Sequence, residues 1–144
     1  MDIKNKTKLQ LPDWFEDTAR TLCRRAEIIP ASVTIIVKQR NKPWWWKERH
    51  KMSKRTLNRV MRHANGASGF ADYDRRTITI RLTAKTERED IEFVLAHELG
   101  HIKDMREHQA DVRYKPTESF ATKFAFGCGC YPKGKYPGTK RLRG

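Results

Sequence analysis

Two histidines four residues apart constrain this chain more than any other feature, because in His97-Glu98-Leu99-Gly100-His101 they bracket a carboxylate. On a helix, that spacing puts both rings on one face, one turn apart. Neutral imidazole nitrogens so placed converge on a single zinc ion at about 2.0–2.1 Å without backbone strain. Glu98 falls on the same side but slightly offset. It is therefore placed to take a proton from a metal-activated water rather than to bind the metal itself.

An exposed polar face of an ordinary amphipathic helix would carry the same letters, and the flanking residues argue against it. Ile91, Val94, Leu95, Leu99 and Ile102 recur at helical spacing. The histidines thus ride on a half-buried helix, where polar groups without partners are costly. Thr86 to Glu89 has the pattern of a capping box, which is expected to start this helix.

A catalytic zinc takes a third protein ligand and keeps a fourth position open. Downstream, Asp104, His108, Asp111 and Glu118 are the candidates. On a continuous helix His108 lies on the same face as the pair, but about 10 Å beyond His101 at 1.5 Å per residue, out of reach of the same ion. The spacing also misses by one residue the motif in which a glycine turn brings in a third histidine, and Asp104 stands where that glycine would be. Glu118 fits better. It follows Pro116, which suits the first turn of a new helix, and Ala121, Phe124 and Ala125 continue at spacings of three and four. Such a helix can cross the first, with small Ala121 allowing close approach. An acidic residue is also favourable in any helix's first turn, so Glu118 has an ordinary explanation too.

Phe93-Val94-Leu95-Ala96-His97-Glu98-Leu99-Gly100-His101, followed by Glu118-x-x-Ala121-x-x-Phe124-Ala125, resembles the signature of the ImmA/IrrE metallopeptidases. Thr77-Ile78-Thr79-Ile80-Arg81-Leu82 resembles the strand that this family places before its active-site helix, so the resemblance covers about residues 68–126. It implies a small zincin-like domain with His97, His101 and Glu118 as zinc ligands and Glu98 as catalytic base. It also implies a protein substrate, typically a repressor or other DNA-binding regulator. The chain departs from the family pattern in showing no helix-turn-helix or sensory domain, and in its Cys128-Gly129-Cys130 and basic tail.

A chain of 144 residues that is 38% hydrophobic suffices for one compact domain. Residues 1–132 are expected to form it, with 133–144 a basic, flexible tail. No apolar run exceeds a few positions, far too short for a membrane span, and Met1 to Leu11 lacks the apolar core of a signal peptide. A cytoplasmic protein is the expectation. Cys23, Cys128 and Cys130 are an odd set with one residue between the last two, a poor disulfide framework. Free thiols are expected, since a C-x-C pair lacks the four ligands usual for structural zinc.

Charge is the second strong signal, with 31 Lys and Arg against 17 Asp and Glu giving a net charge of +14. Between Lys38 and Arg62, Glu48 is the single acid among many basic residues, and Trp44, Trp45 and Trp46 are embedded there. Basic side chains displace phosphate counterions, and indole faces can stack on exposed bases. Lys42, Trp44, Trp45, Lys47 and Lys51 are therefore candidate nucleic-acid contacts, with the tail adding Lys133, Lys135, Lys140, Arg141 and Arg143. An acidic protein partner, or tryptophans simply packed in the core, would fit the same residues.

The remaining organisation reads as α+β. A helix is expected from Pro12 to Ile28, capped by Asp13, ended by Pro30 and burying Trp14, Phe15, Leu22 and Ala26. Ser32 to Gln39 reads as a strand, Ser53 to His63 as a helix, and Phe70 to Tyr73 with Thr77 to Leu82 as a hairpin. The expected product is a short, antiparallel-leaning sheet packed on helices that include the His-Glu-x-x-His helix. Its expected chemistry is zinc-dependent peptide hydrolysis, with Tyr114, His108, Arg113 and Tyr131 as candidate donors to the tetrahedral oxyanion. Three other classes stay open. They are a metalloprotease acting on DNA-bound or crosslinked proteins, a non-enzymatic nucleic-acid-binding module with structural zinc, and an interaction domain with no metal.

Overall fold

The computed structural model describes residues 1–40, 50–56 and 69–132. Four strands, β1 (Asp2–Asn5), β2 (Thr34–Gln39), β3 (Gly69–Asp72) and β4 (Thr77–Leu82), form one sheet in the order β1-β2-β4-β3. Three α-helices lie wholly among the described residues: α1 (Phe15–Arg25), α2 (Arg88–Glu107) and α3 (Glu118–Gly127). No helix among the described residues is long and apolar enough to cross a membrane.

The architecture is α+β, but the sheet is mixed rather than antiparallel-leaning. β1 pairs parallel with β2, and β2 pairs parallel with β4, leaving the β3–β4 hairpin as the antiparallel pair. A parallel neighbour requires a crossover, and α1 supplies it between β1 and β2. The sequence did not announce β1, since Ile3 is its single apolar residue; paired with Ile35 at the sheet edge, it needs no more.

Alternation sets the core. Ile35 and Val37 on β2, with Ile78, Ile80 and Leu82 on β4, are buried toward the helices. α1 meets them with Phe15, Ala19, Leu22 and Cys23, and α2 with Ile91, Leu95, Leu99 and Ile102. These spacings of three and four give each helix one apolar stripe against the sheet. Trp14 is half-buried, its ring covered by the Arg88 guanidinium 4.5 Å from the centroid.

Helix ends depart from expectation for identifiable reasons. Asp13 does not cap α1: Trp14 occupies the cap position, and the first amide, Phe15 N–H, donates to the Pro12 carbonyl at 3.0 Å. α1 also stops before Pro30. Glu27 takes a left-handed conformation (φ 59), and the Glu27 and Ile28 amides return to the Arg24 and Cys23 carbonyls, a Schellman closure. Arg106, near the end of α2, donates to the Ala26 carbonyl at 2.8 Å and to that of Glu27. The Thr86 hydroxyl accepts from the Thr83 amide at 2.8 Å instead of capping α2, whose first residue is Arg88. All three cysteines are free thiols. Burial pushes Cys23 and Cys130 up to about 11, so both stay protonated near neutrality.

Candidate metal centre

α2 carries His97, Glu98 and His101 on its stretch beneath β3, and α3 begins at Glu118. The two imidazoles meet edge to face with centroids 4.7 Å apart. Both turn Nε2 to one oxygen: Glu118 Oε2 lies 2.8 Å from His97 Nε2 and 3.3 Å from His101 Nε2. The histidine side chains are 17% and 18% exposed while Glu118 is 79% exposed, so the rings are half-buried and the carboxylate that meets them is open to solvent.

Two close approaches allow this convergence. Where α2 and α3 cross, a Cβ on Gly100 would stand 2.9 Å from the Ala121 Cα and 3.1 Å from its carbonyl oxygen. Glycine there lets the helices approach until the first residue of α3 reaches the histidines. At the sheet edge, a Cβ on Gly69 would stand 2.8 Å from Val94 Cγ1 and 2.9 Å from Glu98 Cγ. β3 therefore presses backbone against the stem of Glu98.

Glu98 is buried at 5% exposure. Its Oε1 lies 3.4 Å from His97 Nδ1, and its Oε2 is buried with no hydrogen-bond partner among the described residues. A buried carboxylate oxygen without a partner is costly unless something else engages it. Burial works against charge on His97, but Glu98 and Glu118 outweigh it, and His97 titrates above its ordinary value.

Donor atoms of His97, Glu98 and His101 all lie within 4.8 Å of one another, and this group could hold a metal ion. Glu118 adds a carboxylate oxygen on the Nε2 side of both rings. Two imidazoles and a carboxylate are a donor set suited to a catalytic zinc, and the partnerless Glu98 oxygen suits a base beside it. The residues present therefore fit the group.

The other candidate residues gather elsewhere. Asp104 is fully buried: its Oδ1 accepts from the Tyr114 hydroxyl and lies 3.1 Å from His108 Nδ1, while its Oδ2 accepts from the Thr117 amide at 3.0 Å. His108 Nδ1 also lies 2.8 Å from the Asp104 carbonyl oxygen, and its ring stacks on Tyr114 at 3.8 Å. The hydrogen bond to Asp104 pushes Tyr114 up to about 12, so it stays protonated and donating. Arg113 and Asp111 are exposed, the Arg113 amide donating to Asp111 Oδ1 at 3.0 Å. Tyr131 stacks on Phe126 at 4.5 Å, and Phe126 contacts Phe93, which lies 5.5 Å from the His97 ring. Sequence reasoning weighed Asp104 as a ligand and missed what it does; an acid among the buried positions of α2 was the available signal.

Lys42, Trp44, Trp45 and Lys47 lie outside the described residues, as do residues 57–63 of the expected second helix and the tail 133–144. Lys51 is exposed. A cavity of about 330 Å³, lined by Trp14, Arg25, Arg88, Glu92, Cys128 and Cys130 among others, includes none of the four residues at the His97–His101 pair. Comparison with known proteins finds no family, no curated protein and no solved structure that matches the chain.

Proposed function

We propose that this chain is a zinc-dependent endopeptidase in which His97, His101 and Glu118 hold the metal and Glu98 is the general base. The observation that carries the reading is the placement of Glu118 Oε2 at 2.8 Å and 3.3 Å from the two histidine Nε2 atoms. Alongside it stands a buried glutamate with an oxygen that no group among the described residues satisfies. Zinc in such a setting polarises a scissile carbonyl and lowers the pKa of water toward about 7.

The chain's own residues supply the rest. Glu98 takes a proton at Oε2 from the attacking water and gives one to the departing amine nitrogen, the shuttle for which its seclusion suits it. The Phe93 ring lies beside that of His97, with centroids 5.5 Å apart. The same residues carry the resemblance to ImmA/IrrE peptidases, and with it a zincin-like domain and an intracellular protein substrate, a DNA-binding regulator foremost.

The test compares cells carrying the native chain with cells carrying Glu98→Gln. Proteins that disappear only with the native chain, and whose cleavage is reproduced by the purified zinc-loaded protein, are the expected result. Equal turnover of every protein in both strains, with no cleavage in vitro, would overturn the reading.

A further inference from the structure

Building on the assignment of Glu118 as third ligand, we propose that Asp104 is a positioning residue that locks the start of α3, and so Glu118, to the helix bearing both histidines. Asp104 lies three positions after His101 on α2, a rise of about 4.5 Å along a rigid rod. Glu118 arrives differently. Its helix follows residues 108–117, all half-buried or exposed and in turns or without regular structure. Such a connection has many conformations to choose from, and a strongly exposed glutamate at its end gains little from packing.

Asp104 removes that freedom at both ends of the connection. Oδ1 takes the Tyr114 hydroxyl and faces His108 Nδ1, and the stacked His108 and Tyr114 rings fold the connection back onto α2. Oδ2 takes the amide of Thr117, the residue before Glu118. Thr117 in turn caps α3 through its side chain, which accepts from the Phe120 amide at 3.1 Å. A fully buried carboxylate on the metal helix thus fixes the backbone immediately preceding the third ligand, while its negative charge suits the amide end of α3. Groups that orient ligands in this way are commonly worth a factor of about 10–100 in metal affinity.

The test is chelator competition for zinc with the full chain as wild type, Asp104→Asn, Glu118→Ala and the double variant, alongside amide exchange of Thr117 and Phe120 without metal. Asp104→Asn keeps the shape but leaves fewer acceptors than donors. It is expected to weaken zinc about tenfold in the native background and to change nothing further once Glu118 is alanine. Thr117 and Phe120 amides should exchange faster in Asp104→Asn. An equal loss in both backgrounds, or no loss in the native one, overturns the proposal while leaving the metal site standing. Undiminished zinc binding by Glu118→Ala overturns the ligand assignment and this proposal together. Should Asp104→Asn fail to fold, Tyr114→Phe removes one donor while keeping the carboxylate. A few-fold loss confined to the native background then supports the proposal, and its absence overturns it.

Discussion

Gly100 and Ala121 touch backbone to backbone where α2 crosses α3, and a Cβ on Gly100 would meet the Ala121 Cα at 2.9 Å. Backbone cannot swing aside as a side chain can. Gly100→Ala should gain roughly 1 kcal/mol of helix propensity and lose about 1–3 kcal/mol to overpacking, so it destabilises on balance. It should also weaken zinc binding by pushing Glu118 away from the histidines. Urea unfolding and chelator competition check both effects, and a variant with raised stability and unchanged affinity would contradict the crossing.

Gly69 on β3 performs the same service for Glu98, whose Cγ would lie 2.9 Å from an added Cβ. Displacing a catalytic group by about 1 Å can cost on the order of a hundredfold in rate. Gly69→Ala should therefore retain zinc while slowing peptide cleavage by about 10–100-fold. Metal content measured beside turnover on a cleaved peptide separates the two effects; undiminished turnover would remove β3 from the account.

In the proposed site zinc and protons would compete for His97. Its titration in the metal-free fold lies above the ordinary value of 6.5, so its ion pairing stabilises that state fully below about pH 6.5 and is lost as pH rises through the raised value. Zinc needs the neutral ring, so the zinc-bound state carries no such contribution. The gap in Tm between zinc-loaded and metal-free protein should widen from about pH 6 to about pH 8. Calorimetry at fixed free zinc measures it. A gap that narrows would contradict a protonated His97 in the metal-free protein.

The concentration of positive charge between Lys38 and Arg62 leads to a prediction separate from the zinc chemistry. Affinity for oligonucleotides should fall steeply with salt, and replacing Lys42, Lys47 and Lys51 together should flatten the log–log slope by about 2–3 units. Glu98→Gln should leave the slope unchanged. Absence of binding at low salt would favour an acidic protein partner as the reason for the charge.

What was legible in the sequence follows the strength of each local signal. The β4 alternation of Ile78, Ile80 and Leu82, the β2 alternation of Ile35 and Val37, and the long α2 with its apolar stripe repeat a period over several residues, while β3 was legible from the glycine before it and the turn at Asp74-Arg75-Arg76 after it. β1 was not legible because one isoleucine cannot establish a period, so its parallel pairing with β2 could not be read; the parallel pairing of β2 with β4 joins two legible strands and depends on the path of the chain between them, which no local pattern encodes. The end of α1 depends on a non-glycine residue in a left-handed conformation, which composition disfavours and the Arg106 contacts help hold. Tyr114 and His108 suited an oxyanion donor by chemical type, but their engagement with Asp104 depends on how the connection between α2 and α3 folds, which no local pattern encodes.

The central claim is that Glu118, not Glu98, is the carboxylate that holds the metal, and zinc counted per chain in purified variants tests it most directly. Glu98→Gln should retain one zinc per chain, as four-coordinate chemistry with an uninvolved base requires. Glu118→Ala should lose much of its zinc under the same mild chelation, far more than His108→Ala, and His97→Ala or His101→Ala should lose it outright. Zinc retained by Glu118→Ala but lost by Glu98→Gln would contradict the account.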